Sequence, residues 1–479
     1  MHERGAAPAI TRRSLLTAAA AGVGTVALSH GLPAWARPIA SRGDFGGQRG
    51  RQSWVPRANP AAGIRQPDSL PFPTLPAGTP AKSLNQIQHI VVLMMENHSF
   101  DDLLGMVPHE LTGRARVDGL KVGPHGLPTE FNLDSTGKRV YARLASSPCQ
   151  EVGEPTQTWN ASHKAWNNGK NDGFVRASGP VAMQLWDQKY LPFTYSLAGV
   201  FPVGQRYFCS VLAQTYPNRR FLFCGTASGL TATDKLSFST PAANGTIFDR
   251  LEQFGIGWRD YYTNWPSTTI VPGLLTPARL SKNLFHMSQF YADAKAGRLP
   301  QFSFLEPGYT VSSEEDPQDI QAGEDFIAKV VNALIKSPNW KHTAFFLTYD
   351  EHGGYYDHVP PPAAIAPDSI APIQESGQPM LAPGGYDRYG FRVPLIVTSP
   401  WAKANYVSNV VQDHTSILAF IQRKWNLPAM TLRDANAQPM TDYFDFSAPT
   451  FMQPPVLAKA PGLAKGLVDC VKVGLHPPA

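Results

Sequence analysis

Four cysteines in 479 residues, with neither a C-x-x-C nor a zinc-finger spacing, exclude a thiolate-held metal site. Cys209 and Cys224 flank one segment and are the pair that could join. Cys149 and Cys470 have no evident partner, so buried free thiols are the general expectation. Charge is also sparse, at 16% of residues, and the net +5 is unevenly spread. Residues 1–82 hold ten basic side chains against three acidic ones, while the remainder holds 32 against 34. The body of the chain is therefore slightly acidic, which argues against nucleic acid as its partner. Beyond the N-terminus no apolar run is long enough to cross a membrane, and no repeat of fixed period is present.

Apolar residues, at 43%, are plentiful enough for a sizeable core, and 44 prolines with 40 glycines imply many loops. The N-terminus reads as an export signal. Arg12-Arg13 precede Ser14-Leu15-Leu16 and a small apolar run, and Ala34-Trp35-Ala36 is an A-x-A cleavage site that puts the mature start at Arg37. The paired arginines point to twin-arginine export, hence to a secreted or cell-envelope protein. A membrane anchor is the alternative, but the run is short and alanine-rich. Residues 37–84, rich in Pro, Gly and Arg, read as a linker. A folded body is expected over 85–440 and a C-terminal tail over 441–479.

Three short apolar runs, 89–95, 344–349 and 393–398, have the continuous character of parallel strands covered on both faces. Helical spacing of Phe326, Ile327, Val330, Val331, Leu334 and Ile335 predicts a helix over 322–337, with Gly323-Glu324-Asp325 as an acidic first turn. A second helix is predicted over 413–425, capped by Asp413. Strands alternating with helices predict an α/β protein, three-layer α/β/α around a mostly parallel sheet. Residues 360–388, dense in Pro and Gly, read as a long surface loop suited to a lid.

Chemistry gathers where two of these strands end. The first stops at Glu96-Asn97 and the second at Asp350-Glu351-His352-Gly353-Gly354. In open α/β sheets ligands sit beyond the carboxyl ends of strands. Three carboxylates and an amide on one edge would repel one another unless a cation neutralised them, and oxygen donors favour a hard or borderline divalent ion of unspecified identity. Taken singly, each pair could equally cap a turn or helix. Thr215, in Gln214-Thr215-Tyr216-Pro217-Asn218-Arg219, supplies a hydroxyl that a cation could activate. Pro217 fixes the turn, Asn218 can donate to a phosphoryl oxygen, and Arg219 or Arg220 can add positive charge. Alone, that segment is only a turn with basic neighbours.

Five phrases occur in order: MMENHSFD (94–101), TYPNR (215–219), YDEHGGYYDHVPP (349–361), FRVPLIVTSP (391–400) and DHTSILAFI (413–421). Together, over roughly 85–430, they resemble the bacterial phospholipase C and acid phosphatase family of phosphoesterases. That family includes plant non-specific phospholipases C and belongs to the alkaline-phosphatase-like superfamily. The resemblance implies that Glu96, Asn97, Asp350 and Glu351 hold a metal and that Thr215 is the nucleophile. It places histidines around the leaving group, with His358 the best match and His163 a further pocket residue. His352 and His414 match less well, and structural hydrogen bonding is the role expected of His414.

The chain also departs from the family pattern. His98 and Asp102 stand where an arginine and a second histidine are usual, and Asp316 stands where many members carry a histidine. The additional C-terminal β-domains of many phospholipase members have no counterpart in the roughly fifty residues after Met430. The reading is a metal-dependent phospholipase C-type hydrolase acting on phosphodiesters such as phosphatidylcholine, with peripheral membrane contact and no obligate protein partner. A phosphomonoesterase on the same scaffold is the alternative, and a non-catalytic surface-binding protein a distant third.

Overall fold

The computed structural model describes residues 63–114, 116–150, 155–309, 311–373 and 384–462. The expected signal segment 1–36, residues 37–62 of the expected linker, residues 374–383 of the expected lid and residues 463–479 of the expected tail lie outside them.

The apolar runs 89–95 and 344–349 become the centre of the sheet. Strands of the main sheet, numbered in chain order, are β1 His89–Met95, β2 Val203–Gly204, β3 Trp258–Tyr262, β4 Leu284–His286, β5 Phe302–Glu306, β6 Thr343–Tyr349, β7 Leu395–Thr398 and β8 Val407–Ser408. Their spatial order is β8-β2-β7-β6-β1-β5-β3-β4. The block β6-β1-β5-β3-β4 is parallel throughout. All of β6, and all of β1 except His89, is buried, so both faces of the sheet centre are covered by helices and loops. This is the expected layered α/β arrangement.

One strand differs in direction. β7, read from its apolar run as one more parallel strand, pairs antiparallel with β6 and with β2. Burial on both faces produces the same apolar run whichever way a strand points.

The helices that matter to the site are α1 Phe100–Leu104, α2 Trp159–Trp166, α3 Thr215–Cys224, α4 Ile320–Ile335 and α5 His414–Trp425. α4 starts two residues earlier than predicted, capped by Asp319, so Glu324 is not in its first turn. Glu324 is instead buried and accepts from the backbone N–H groups of Phe193 and Thr194, at the start of the helix Pro192–Val200. Asp413 and Ser416 form a reciprocal capping box on α5, as the sequence led one to expect for Asp413.

Residues 63–84 lie along the body rather than apart from it. Asn426, in left-handed conformation at the end of α5, accepts from Phe72 N–H and donates to the carbonyls of Phe72, Leu75 and Pro76. Cys209 and Cys224 are buried free thiols and do not pair. Cys149 is disulfide-bonded, against the expectation of a free thiol there.

Candidate active site

The register between β1 and β6 builds the site. Met95 pairs with Tyr349, so Glu96-Asn97 and Asp350-Glu351 leave adjacent parallel strands at the same level. Asn97 then turns with φ 61°, a left-handed conformation that asparagine tolerates better than most residues. That turn lets its backbone N–H donate to Asp350 Oδ1 at 3.0 Å. The opposing loop must come very close. A Cβ on Gly353 would sit 1.9 Å from the Asn97 carbonyl oxygen, and Gly353 itself has φ 66°. Only glycine meets both demands.

Side chains converge from three elements. The Asn97 amide nitrogen, turned towards the acids, donates to Glu351 Oε1 at 2.8 Å and Asp350 Oδ1 at 3.2 Å. The same side-chain amide lies 3.3 Å from the hydroxyl of Thr215, the first residue of α3. The positive end of that helix therefore begins at the candidate nucleophile. All of these groups are buried, Thr215 being 5% exposed.

Charge here is unbalanced. Burial first, then Asp350, pushes the carboxyls of Glu96 and Glu351 well above the usual range, and Glu315 adds to the repulsion on both. Among the described residues, the one buried cation bonded to them is Arg219. It donates to Glu96 Oε1 at 2.5 Å, Asp350 Oδ2 at 3.2 Å, Glu306 Oε2 at 3.3 Å and Ser267 Oγ at 3.1 Å. Burial works against its charge, but Tyr309 and these carboxylates hold its pKa well above the usual arginine value. Arg219 is thus spent inside the protein, behind the carboxylates, and not directed at a ligand.

Asn218 is likewise committed locally. Its amide donates to the carbonyls of Val211, Ala213 and Gln214 and accepts from Val211 N–H, stapling the turn that delivers Thr215. Among the described residues no three His, Cys, Asp or Glu side chains are spaced as a ready-made metal cage. The donor chemistry nevertheless suits a hard or borderline cation: Glu96, Asp350 and Glu351 offer carboxylate oxygens in excess over a single guanidinium.

The histidines divide into distinct settings. His358 Nδ1 is 2.7 Å from Asp101 Oδ2 and its Nε2 is 3.2 Å from Asp118 Oδ1. Although burial opposes it, Asp101 and then Asp118 raise its pKa to about 10. Arg392 joins this cluster through Asp101 Oδ1 at 2.9 Å and Asp357 Oδ1 at 2.9 Å. His163, on α2, lies against Trp159 with ring centroids 4.4 Å apart, its Nδ1 2.7 Å from the Trp159 carbonyl oxygen, and burial lowers its pKa. His352 Nδ1 is 3.2 Å from Glu351 Oε2, and burial pushes the ring down to about 3. His414 Nε2 donates to the Asp350 carbonyl at 2.7 Å and its Nδ1 accepts from Tyr207 at 2.9 Å, a structural role.

The two unusual residues of the first motif turn out to be one change. His98 and Asp102 are hydrogen-bonded to each other, fully buried, with His98 Nε2 donating to the Glu314 carbonyl at 2.8 Å. Sequence reasoning missed Glu306, at the end of β5, and Arg392. The second sits inside FRVPLIVTSP, where the phrase itself was the available signal.

A family model, the phosphoesterase family, matches residues 87–428. Non-specific phospholipase C1 of Arabidopsis thaliana is 31% identical over 393 residues, covering 76% of this chain and 72% of that protein. Phospholipase C B of Mycobacterium tuberculosis is 29% identical over 425 residues, covering 78% and 80%. Hemolytic phospholipase C of Pseudomonas aeruginosa is 27% identical over 422 residues, covering 76% of this chain but 56% of its own length. Among solved structures, a protein in the alkaline phosphatase superfamily from Vibrio parahaemolyticus superposes over 90% of this chain and 78% of its own, with TM-score 0.37 and 10% identity. The acid–amide edge, the hydroxyl at the start of α3 and the second charge cluster all fall inside the matched span, and the chain belongs to the phosphoesterase family as a hydrolase of phosphate esters.

Proposed function

We propose that this enzyme is an exported, metal-dependent hydrolase of the phospholipase C type, with Thr215 as its nucleophile. The observation that carries the reading is the 3.3 Å approach of the Thr215 hydroxyl to the Asn97 amide, itself 2.8 Å from Glu351. The names of the relatives support the choice of a phospholipid diester, such as phosphatidylcholine, over other phosphate esters. Glu96, Asn97, Asp350 and Glu351 would hold a divalent cation, which when bound supplies positive charge to the nucleophile oxygen and the phosphoryl oxygens.

Thr215 Oγ gives up its proton and bonds to phosphorus, while the bond from phosphorus to the diacylglycerol oxygen breaks. The headgroup phosphate is then carried on Thr215 until water displaces it. Asn218 keeps the hydroxyl in place through the turn it staples. His358 is the candidate to give a proton to the departing oxygen, a role that requires its Nε2 proton to pass from Asp118 to the substrate, and neutral His163 is the candidate to accept one. Comparing pH–rate profiles of His358→Gln and His163→Gln with the parent enzyme assigns these roles.

Thr215→Ala should abolish turnover without loss of folding, whereas Thr215→Ser should retain part of it. Full activity in the alanine variant would remove the nucleophile assignment. Chelator should silence the enzyme, and elemental analysis of purified protein should find a bound cation. Parallel assays with phosphatidylcholine and p-nitrophenyl phosphate separate the two scaffold chemistries, because exclusive cleavage of the monoester would favour the acid phosphatase reading. Export rests on Arg12-Arg13 and the A-x-A site, and sequencing of the mature protein should give Arg37 as the first residue.

A further inference from the structure

One β-hairpin turns large apolar side chains to water on both of its strands. Along 127–133, Leu127, Thr129, Phe131 and Leu133 alternate with Pro128, Glu130 and Asn132, and the apolar set faces water. Leu127, Phe131 and Leu133 are 58%, 38% and 37% exposed. Across the antiparallel ladder Tyr141 stands opposite Phe131, 47% exposed, with ring centroids 5.5 Å apart. The inward face carries Pro128, Val140, which packs against the core, and Asn132, 2% exposed, whose side-chain oxygen accepts from Phe174 N–H at 2.9 Å. Half-buried strands ordinarily put apolar residues inside and polar ones out. Stability alone does not call for Leu127, Phe131, Leu133 and Tyr141 on the outer face.

Charge around this face is positive. Lys121, Lys138, Arg139 and Arg143 stand against Glu130 and Asp134. The Asp134 carboxylate is occupied within the turn by Thr136 and by Lys138 N–H. Arg139 lies over the Phe131 ring at 4.5 Å, so a cation and an aromatic share one outward surface. The hairpin is also close to the chemistry. Phe174, which Asn132 holds, meets the ring of His352 edge-on at 6.2 Å, and His352 contacts Glu351.

We propose that the hairpin of Phe131–Leu133 and Arg139–Tyr141 docks the enzyme on a lipid surface. Its apolar side chains enter the interfacial layer and its flanking cations meet lipid phosphates. The inference rests on the phospholipid reading of the site, because it explains how a soluble hairpin would bring that site to a substrate held in a bilayer. A second copy of the chain fits the same face less well, since pairing two such hairpins sets Lys138 and Arg139 against like charges.

The test uses full-length protein carrying Thr215→Ala, so that the vesicles persist, and sedimentation with vesicles of phosphatidylcholine containing phosphatidylglycerol. Adding F131S and Y141S should lower the bound fraction constant about tenfold, and adding K138Q and R139Q should remove most of its salt dependence. Leu127→Ser, outside the ladder pairs, repeats the test without loss of a cross-strand contact. In the active background the serine variants should cleave a monomeric water-soluble diester, p-nitrophenyl phosphorylcholine, at the parental rate. Unchanged vesicle binding in folded variants would overturn the proposal, as would loss of self-association with vesicle binding intact. Binding through the hairpin by a protein that cleaves no diester would uphold the docking surface and sink the phospholipase reading instead.

Discussion

Two buried charge clusters stand at the same edge of the sheet, and they are balanced differently. Glu96, Asp350 and Glu306 crowd around the single guanidinium of Arg219, and Glu351 adjoins them through the Asn97 amide. Burial and mutual repulsion push Glu96 and Glu351 well up, and burial raises Glu306. A few residues further along the same loops, Asp101 and Asp357 meet two cations, Arg392 and His358. There, despite burial, His358 and Arg392 hold Asp101 below the usual carboxylate range, while burial lifts Asp357 only to about 6 against the pull of Arg392. A cluster that satisfies its own charges fastens loops together. One left with excess negative charge has room in its electrostatics for something brought from outside.

That contrast can be broken at either end. The largest effect is expected from Arg392→Met, which strands Asp101 and Asp357 in the interior and should cost about 3–5 kcal/mol in urea unfolding. Glu351→Gln should lower kcat about a hundredfold to a thousandfold. In chelator it should leave the unfolding midpoint unchanged or raised, since it relieves crowding. Destabilisation matching that of Arg392→Met would erase the distinction between the clusters. Next, a divalent cation at a hundred times its dissociation constant should stabilise the parent by about 2.7 kcal/mol, and Asp350→Asn much less. Melting curves with and without chelator measure this.

The smallest effect sharpens the comparison by pH. His358 has its folded pKa raised from 6.5 to about 10, so its contribution is complete below pH 6.5 and fades as pH climbs towards 10. His358→Gln should flatten the fall in stability over that window. An unaltered slope between pH 7 and 10 would mean that the imidazolium is not what the cluster relies on.

Much of this was readable in the sequence because apolar runs and abrupt polar stops coincide. The run 89–95 became β1 residue for residue, 344–349 became β6 with Thr343 added, and Glu96-Asn97 and Asp350-Glu351 met at its edge. β3 and β5 were not legible. Trp258–Tyr262 and Phe302–Glu306 carry Arg259, Asp260, Ser303 and Glu306, and their burial depends on partners far along the chain. Asp260, for instance, accepts from Thr268 Oγ1 at 2.6 Å. Arg219 was legible as a charge but not as to direction, because composition cannot say whether a guanidinium faces a ligand or the carboxylates behind it. The outward face of the Phe131–Leu133 strand was invisible for a similar reason: alternation fixes that two faces differ, not which one is inside.

The register that sets Met95 beside Tyr349 has a further consequence. The Asn97–Asp350 hydrogen bond spans 253 positions of sequence, so neither half of the site has its counterpart nearby in an unfolded chain. Closing so long a loop must precede any recognition of a cation, and long-range parallel pairing is slow to form. The nascent chain thus carries no weak local version of the edge proposed to hold a metal. Affinity for the proposed ion would arise together with the central strand pair, so that its acquisition would report that the sheet has been completed.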